Sequence, residues 1–207
     1  SAPHADEPPS ATPDVRAPVP APLVPPPPPT AAHFRPVTES GLAEVRQVLI
    51  EKFFKSNHGF LATEEGRNDL ASHLTERLQD DRTRLVPWLD GLRPLRGARV
   101  LEIGCGTGSS TIALAEQGAE LVAVDIMPSY LEVARVRCRV YGLDDVAFFV
   151  ADAAALPPAV TDREYDFIIF FASLEHMMLE ERLRALARAW EMLGPGGFLC
   201  VVDTPNR

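Results

Sequence analysis

The sequence predicts an α/β fold, an open and doubly wound parallel sheet of about five strands that is preceded by helices. Three observations support this prediction. The second half of the chain contains five near-continuous apolar runs of strand length, as expected for parallel strands covered on both faces. Segments with helical periodicity separate these runs, and a glycine-rich turn follows the first of them.

The N-terminal segment is rich in proline. The first thirty residues contain twelve of the chain's twenty prolines, including the run at 25–29, and few large apolar residues. Such a composition buries too little surface to offset the entropy lost on ordering, and its prolines favour extended polyproline II. We therefore predict a disordered tail or linker over residues 1–35, with a proline-rich docking peptide as the alternative.

Residues 36–97 are predicted to form a helical region. Three stretches carry apolar residues at every third or fourth position, as amphipathic helices do. These residues are Leu42, Val45, Leu49 and Phe53, then Leu70, Leu74 and Leu78, then Leu85 and Trp88. Ser40 is of a residue type that caps helix N-termini. The pattern predicts a first helix after Ser40, a second helix and a third short one, before residues 91–97 interrupt the period.

Strands and helices then alternate over residues 98–207, the predicted core of the domain. Strands are predicted at 98–104, 120–126, 146–152, 165–172 and 198–203. Helices are predicted between them at about 108–117, 128–141 and 179–193. Ligands of such sheets bind beyond the carboxyl ends of the strands, near the point where strand order reverses. The glycine turn after the first strand therefore lies where a ligand is expected.

Charge and cysteine content argue against several classes of protein. The net charge of −9 and the pI of about 5.0 argue against nucleic acid as a partner, because that role needs a basic surface. Cys105, Cys138 and Cys200 are too few and too scattered for a disulfide framework or a metal cluster, and they indicate reduced thiols in a cytoplasm-like compartment. The sequence shows no apolar run as long as a membrane span and no signal-peptide pattern. We therefore expect a cytoplasmic protein.

The stretch VLEIGCGTGSST at 100–111 combines an apolar run, one acidic residue and three glycines. Glycines let the backbone approach a ligand closely, and the amide groups of the next helix attract an anion. The spacing of Gly104, Gly106 and Gly108 differs from the dinucleotide fingerprint, whose third glycine comes one position later. Glu102 would repel a pyrophosphate and favour a cation. The turn therefore favours a ligand with a cationic or zwitterionic end.

Two more acidic residues follow the next two strands. Asp125 ends the second strand, where a carboxylate accepts hydrogen bonds from ribose hydroxyls, and Asp152 ends the third, where it would accept from an adenine amino group. Each has an alternative role. Asp125 would instead cap the helix that Pro128 begins, and Asp152 would form a turn in the loop that follows it. If both aspartates bind a ligand, that ligand carries a ribose and a base.

In combination these motifs resemble those of the class I S-adenosylmethionine-dependent methyltransferases that act on small molecules. The resemblance covers residues 98–203. It rests on VLEIGCGTG, VAVDI, FVADAAALP, YDFIIFFASLEHM and MLGPGGFLCV, which follow one another in the family's order and spacing. It implies a Rossmann-like sheet with strand order 3-2-1-4-5 and S-adenosylmethionine as the cofactor.

The resemblance also implies roles for individual residues. In that family the glycine turn holds the methionine part of the cofactor. The residues of this chain that would contact it are Glu102, Gly104, Cys105, Gly106 and Gly108. The ribose and the base would contact Asp125, Ile126, Asp152 and Ala153. Phe171 would border the sulfonium and the substrate, and the thiol of Cys105 favours packing over chemistry. Residues 57–60 and the helices before them match the place of a cofactor lid.

Transfer of a methyl group to a hydroxyl also needs a base that accepts the proton. His176, just beyond the fourth strand, is the best placed candidate by sequence. Its alternative role is a histidine at a helix start that is hydrogen-bonded to the backbone. Glu175 is expected to cap the next helix or to orient His176. His58 is a second candidate for the pocket, whereas His73 is expected on a helix surface.

We therefore predict a methyltransferase that uses S-adenosylmethionine and a small-molecule acceptor, with oxygen as the favoured acceptor atom. One alternative is a catalytically degenerate cofactor-binding or scaffolding module, and a less favoured one is an NAD-dependent oxidoreductase. The family's last two strands are absent from the sequence, which leaves an apolar fifth strand at the edge of the sheet. We expect a further segment of the protein or a partner chain to cover it.

Overall fold

The computed structural model describes residues 34–202. Its five strands are β1 (Arg99–Ile103), β2 (Glu120–Asp125), β3 (Ala147–Val150), β4 (Tyr165–Phe171) and β5 (Leu193–Val202). They form one parallel sheet in the order β3-β2-β1-β4-β5, which confirms the predicted topology. Residues 1–33 of the predicted proline-rich tail lie outside the described residues. Residue 203, the last of the predicted fifth strand, lies outside them as well.

Nine α-helices occur in the part of the chain that the structure describes. They are α1 (Glu39–Val48), α2 (His58–Leu61), α3 (Glu64–Ala71), α4 (Arg77–Asp80), α5 (Val86–Leu92), α6 (Ser109–Ala115), α7 (Pro128–Val140), α8 (Pro158–Thr161) and α9 (Leu179–Glu191). Wider π-helical turns occur at Leu49–Phe53, Ser72–Glu76 and Asp81–Leu85, and a 3₁₀ turn occurs at Leu174–His176. The helices after the first two strands begin as predicted, within one residue.

Helices cover both faces of the sheet, as expected for a doubly wound fold. Alternate residues of a strand point to opposite faces, so each apolar strand contributes to two cores. One core joins the sheet to α5 and α6 through Val100, Phe167, Ile169, Leu89 and Ile112. The other joins it to α8 and α9 through Leu101, Ile168, Phe170, Val160 and Ala189. The sheet is therefore buried on both faces, which explains its near-continuous apolar runs.

The helical region before the sheet is more continuous than predicted. The helices α3, α4 and α5 and the two π turns between them form one unbroken helical segment over residues 64–92. The prediction of two separate helices here is wrong. Pro87, which has no N–H to donate, lies near the start of α5, directly after a π turn. We call residues 64–92 the helical wall.

The three cysteines are free and buried in the described structure. Among the described helices, none has the length and apolar character that crossing a membrane requires. At the edge of the sheet, β5 leaves Val201 47% exposed, and on the neighbouring α9 the Trp190 side chain is 70% exposed. The apolar edge predicted for the fifth strand is therefore present in the structure.

Candidate functional site

A cavity of about 910 Å³ opens at the carboxyl ends of β1, β2 and β4. Its floor is the turn between β1 and α6, and one of its sides is the helical wall. Most residues predicted to contact a ligand line it, namely Gly104, Cys105, Gly106, Asp125, Ile126, Asp152, Ala153, Phe171 and His176. The strand order reverses beside β1, so the cavity lies where such sheets bind their ligands.

Two of the three glycines in the turn are required by the packing of the protein itself. A Cβ atom on Gly104 would lie 2.5 Å from Ser173 Cβ and 2.8 Å from the carbonyl oxygen of Phe171. A Cβ atom on Gly108 would lie 2.8 Å from the Cβ of Ala134 on α7. No side chain fits at such distances, so these glycines allow the turn to pack against the end of β4 and against α7.

Gly106 differs from its two neighbours because it faces open space. A Cβ atom placed on Gly106 would meet no atom within 4 Å, although the residue lines the cavity. Its N–H donates a hydrogen bond to Asp125 Oδ2 at 2.8 Å. The backbone of the turn is therefore bare toward the cavity at this position, and a ligand can approach it closely.

The carboxylate of Glu102 points into the protein and is absent from the lining of the cavity. The residue is 0% exposed, and its two oxygens accept hydrogen bonds from Ser110 Oγ and from Thr111 Oγ1, the latter at 2.7 Å. Burial, helped by the charge of Asp125, raises the pKa of Glu102 to about 7, although the two hydroxyls oppose the shift. Glu102 thus fixes the first turn of α6 to β1, a role that differs from the direct ligand contact expected from the sequence.

Asp125 lies at the end of β2, where it joins the glycine turn to the start of α7. Its Oδ1 accepts from the N–H of Met127 at 2.8 Å, and its Oδ2 accepts from Gly106. Burial raises the pKa of Asp125 from its ordinary value, while these backbone donors oppose the shift. Each carboxylate oxygen has two lone pairs, so this side chain can accept further hydrogen bonds from the cavity. The capping role and a ligand-binding role are therefore compatible.

The far end of the cavity is formed by residues after β2 and β3. Ile126 is 62% exposed and Ala153 is buried. Asp152 Oδ1 accepts from the N–H of Ala154 at 2.8 Å, which is the turn-forming role weighed from the sequence. The cavity at this end thus combines an apolar side chain on one side with an exposed carboxylate on the other.

The chain after β4 forms the side of the cavity nearest to β1. Ala172 has a left-handed backbone with φ of 41°, an uncommon conformation for a residue with a side chain. Ser173 Oγ donates to the carbonyl oxygen of Ile103 at 3.2 Å, which joins the ends of β4 and β1. Phe171, the last residue of β4, lines the cavity beside this link.

His176 reaches the rim of the cavity from the 3₁₀ turn. Its side chain is 79% exposed, and its Nε2 lies 3.8 Å from Oε1 of Glu175. The ring therefore has solvent access at the rim of the cavity, and a carboxylate lies beside it. His58, the other histidine considered for the pocket, is exposed and does not line the cavity.

Cys105 lies within the turn, but its thiol is chemically quiet. The residue is 4% exposed and packs with Ala123 and Leu131. Burial, followed by the nearby charges of Glu102 and Asp125, raises the pKa of Cys105 well above its ordinary range. Since the thiolate is the reactive form, the environment favours packing over chemistry.

An aromatic group forms the side of the cavity toward the N-terminal helices. The ring of Phe53 lies 4.1 Å from that of His73 and 5.0 Å from that of Tyr130, measured between centroids. All three residues line the cavity, and none of them was predicted from the sequence to do so. Phe53 and Tyr130 occur within helical apolar patterns, and only the docking of the N-terminal helices on α7 brings them together.

The expected surface position of His73 is wrong. His73 is 4% exposed, and its Nδ1 lies 3.3 Å from Oγ1 of Thr107 in the glycine turn. Burial, followed by the charges of Arg77 and Arg137, lowers the pKa of His73 to about 3, so the ring is neutral at physiological pH. Arg137 on α7 is also buried, at only 1% exposed.

Comparison with known proteins gives the site a context. Residues 100–197 match the family model described as "Methyltransferase domain". Magnesium-protoporphyrin O-methyltransferase of Rhodobacter capsulatus is 36% identical over 110 residues, which are 53% of this chain and 42% of that protein. Trans-aconitate 2-methyltransferase of Methylobacterium radiotolerans is 37% identical over 136 residues, or 64% of this chain and 48% of that protein. The chain thus spans less than half the length of these relatives.

Solved structures resemble the fold at lower identity. A magnesium protoporphyrin IX methyltransferase from Synechocystis, crystallised with bound SAM, has a TM-score of 0.52 and 22% identity over 74% of this chain and 72% of its own. An amino pentose methyltransferase from Micromonospora echinaspora, also with SAM, has a TM-score of 0.55 and 22% identity over 68% and 56%. At this identity the likeness establishes the fold alone.

Proposed function

We propose that the chain is a class I S-adenosylmethionine-dependent methyltransferase, which binds S-adenosylmethionine over the glycine turn and methylates a small molecule. The match of residues 100–197 to the model described as "Methyltransferase domain" supports this proposal. Gly106 is the observation that carries this proposal. It presents bare backbone to the cavity and is held there by a hydrogen bond to Asp125, which lines the same cavity. A nucleoside with a charged amino-acid end fits such a floor.

The charge of the cavity suits a cationic ligand. Carboxylates outnumber permanent cations among the lining residues, with Asp69, Asp80, Asp81, Asp125, Asp152 and Glu181 against Arg77. A sulfonium is therefore favoured over a dinucleotide pyrophosphate, which would be repelled. The single guanidinium of Arg77 on the helical wall offers a partner for an amino-acid carboxylate.

We assign the contacts as follows. Gly104, Gly106 and the Ser109 end of α6 border the methionine part, and Asp125 accepts from the ribose hydroxyls. Ile126 packs on the base, and Asp152 with Ala153 forms the adenine end. Glu102 acts indirectly, because its carboxylate holds α6 in place. The region over residues 36–97, including the helical wall, serves as the cap of the site.

The cofactor supplies a methyl group on a positively charged sulfur, which is already an excellent leaving group. The protein then has to align the acceptor, exclude water and remove a proton. We assign the proton to Nε2 of His176, which lies 3.8 Å from Oε1 of Glu175. This arrangement favours a hydroxyl acceptor, whose proton must leave as the new bond forms. Phe53 and Tyr130 offer the acceptor an aromatic surface on the opposite side.

Calorimetric titration tests the cofactor assignment. We expect S-adenosylhomocysteine to bind with one site per chain and NADH to give no saturable binding. Tight binding of NADH alone would support the oxidoreductase alternative instead.

A labelled methyl group tests the acceptor atom. Transfer of this group to phenols and other alcohols, but not to matched amines, would support oxygen as the acceptor atom. The His176→Gln variant should lose this transfer while it still binds S-adenosylhomocysteine.

One observation favours a second candidate, a cofactor-binding module without catalysis. Several apolar side chains on α9 and β5 are exposed, among them Leu183, Trp190 and Val201. Such a surface is typical of a protein interface. Binding of S-adenosylhomocysteine without methyl transfer to any member of a broad acceptor panel would favour this module over the enzyme.

A further inference from the structure

A buried arginine joins the helical wall to the glycine turn from behind the cavity. Arg137 on α7 is 1% exposed. Its Nη1 donates to Oγ of Ser109, the first residue of α6, at 2.9 Å. Its Nη2 donates to the carbonyl oxygen of His73 in the helical wall. One guanidinium thus hydrogen-bonds to both the helical wall and the start of α6, which are far apart in sequence.

The carbonyl that accepts from Arg137 lies in a π turn of the helical wall. In an α-helix most carbonyls accept from the N–H four residues later, whereas a π turn shifts this pattern and disturbs the local ladder. His73 lies within the π turn Ser72–Glu76, where its carbonyl accepts from Arg137 and its ring reaches Thr107. Single π turns inside α-helices occur frequently at functional sites. The π turn is therefore joined to α7 through Arg137 and to the glycine turn through Thr107.

Stability alone is a poor explanation for a guanidinium at this position. Burying a cation has a large desolvation cost, and burial lowers the pKa of Arg137 to about 10. Its Nε has no hydrogen-bond partner among the described residues. An apolar side chain of similar length would fill this space without either cost. What such a side chain would lack is the pair of bonds to Ser109 and His73.

We propose that Arg137 is a positioning residue that couples the helical wall to the glycine turn, so that ordering one wall around the cofactor orders the other. The inference rests on the proposed cofactor site, because Ser109 and His73 both line that cavity. A ligand bound over the glycine turn then stabilises the π turn Ser72–Glu76 through the guanidinium of Arg137, without contacting α7. Conversely, the helical wall keeps the start of α6 in its binding position.

The test compares Arg137→Met with Arg139→Met, a matched control two residues further along α7. Arg139 also ties α7 to an N-terminal helix, through Glu44 of α1, but at the surface, with 57% of its side chain exposed. For each protein we would measure the affinity for S-adenosylhomocysteine by calorimetry, the midpoint of thermal unfolding, and amide hydrogen exchange over residues 72–76 and 104–110 with and without this ligand.

In wild type and in Arg139→Met, the ligand should slow exchange in both segments. In Arg137→Met, the affinity should fall at least tenfold and the ligand should slow exchange only in 104–110, while the unfolding midpoint stays at or above that of wild type. Wild-type affinity together with ligand-dependent protection of 72–76 in Arg137→Met would overturn the proposal.

A second variant covers the case in which Arg137→Met does not fold. Ser109→Ala removes one acceptor of the guanidinium. Because Ser109 also lines the cavity, the decisive measurement for this variant is the ligand-dependent protection of 72–76, which should fall. Unchanged protection in Ser109→Ala would contradict the coupling.

If wild type does not bind S-adenosylhomocysteine, the proposed function fails. The link through Arg137 is then tested by amide hydrogen exchange in the ligand-free proteins. Exchange over 72–76 must then be faster in Arg137→Met than in Arg139→Met, and equal rates would overturn it.

Discussion

The N–H of Gly106 donates a hydrogen bond to Asp125 Oδ2 at 2.8 Å, which joins the glycine turn after β1 to the end of β2. The two residues are 19 positions apart in the chain, and both line the cavity. Asp125 also accepts from the N–H of Met127, so a single carboxylate holds the turn and the start of α7 together. The shape of the candidate cofactor site depends on this carboxylate.

Asp125→Ala should therefore weaken binding of S-adenosylhomocysteine by at least tenfold, which corresponds to about 1.4 kcal/mol. The variant loses both backbone contacts and the acceptor that we assign to the ribose. Asp125→Asn keeps one acceptor oxygen and should fall between wild type and Asp125→Ala. Calorimetric titration measures these affinities. Asp144→Ala, an exposed aspartate beyond α7, is the control and should bind as wild type does. Equal affinities for Asp125→Ala and this control would contradict the assignment.

Glu102 should give the stability of the protein a distinct pH dependence. Burial raises its pKa from the ordinary 4.5 to about 7 in the folded state, so between these values the folded protein holds a proton that the unfolded chain has released. The stabilisation by this group is full below pH 4.5 and is lost as the pH rises through 7, by about 3 kcal/mol in total.

Glu102→Gln removes the titrating group while its amide can still hydrogen-bond to the hydroxyls of Ser110 and Thr111. Urea unfolding at several pH values should show that the stability of the variant relative to wild type increases from pH 5 to pH 7.5. Glu120→Gln, at an exposed position, should leave the pH profile unchanged. A pH-independent difference between Glu102→Gln and wild type would show that the carboxyl titrates normally.

Gly108→Ala should destabilise the fold through a steric clash with α7. Its Cβ would lie 2.8 Å from Ala134 Cβ and 2.9 Å from Ala134 Cα, and the φ of 85° adds backbone strain. Gly97→Ala has similar strain at φ of 73° but meets no atom within 4 Å, so it measures the strain alone, about 1–2 kcal/mol. We expect Gly108→Ala to lose about 2 kcal/mol more than this control in chemical unfolding. Equal losses would show that α7 moves aside without cost.

The ion pair of Arg82 and Glu116 ties the helical wall to the end of α6. Both bonds are 2.7 Å long, and the two side chains are 12% and 0% exposed. Arg82→Met leaves the buried carboxylate of Glu116 without its ion-pair partner, although the N–H of Arg35 still donates to it. The change should cost about 3–5 kcal/mol in urea unfolding. The double variant Arg82→Met with Glu116→Leu should recover most of this loss, and a loss equal to the sum of the two single changes would contradict the coupling.

The exposed pair of Arg188 and Glu191 on α9 provides the matched control for Arg82→Met. Its bond is 2.8 Å long, but 45% and 63% of the two side chains are exposed. Arg188→Met should change the free energy of unfolding by less than about 1 kcal/mol, because solvent screens such pairs.

The sheet and its ligand-binding edge were predictable because their signals are local. Strands buried on both faces appear as apolar runs, and the glycine turn occupies one continuous stretch of sequence. The inward direction of Glu102 also has a local signal in the sequence. Glu102 shares a sheet face with Val100, and α6 begins with hydroxyl side chains that can reach that face.

The buried link behind the cavity was not predictable from local patterns. Arg137 contacts residues 28 and 64 positions away, and it alternates along α7 with the arginines at 135 and 139, which gives it the appearance of a surface residue. His73 is neutral and buried only because the helical wall docks on the glycine turn. The continuity of that wall was missed for a related reason, since π turns have no recognised sequence signature comparable to a cap or a turn.

The most direct test of the account is the affinity of Gly106→Leu for S-adenosylhomocysteine. A side chain at this position projects into the cavity, whereas Gly97→Leu introduces the same residue at a similarly strained position far from the cavity. Calorimetry should show wild-type affinity for Gly97→Leu and at least a hundredfold loss for Gly106→Leu, with similar unfolding midpoints for the two. Wild-type affinity in Gly106→Leu would show that the cofactor does not bind over the glycine turn.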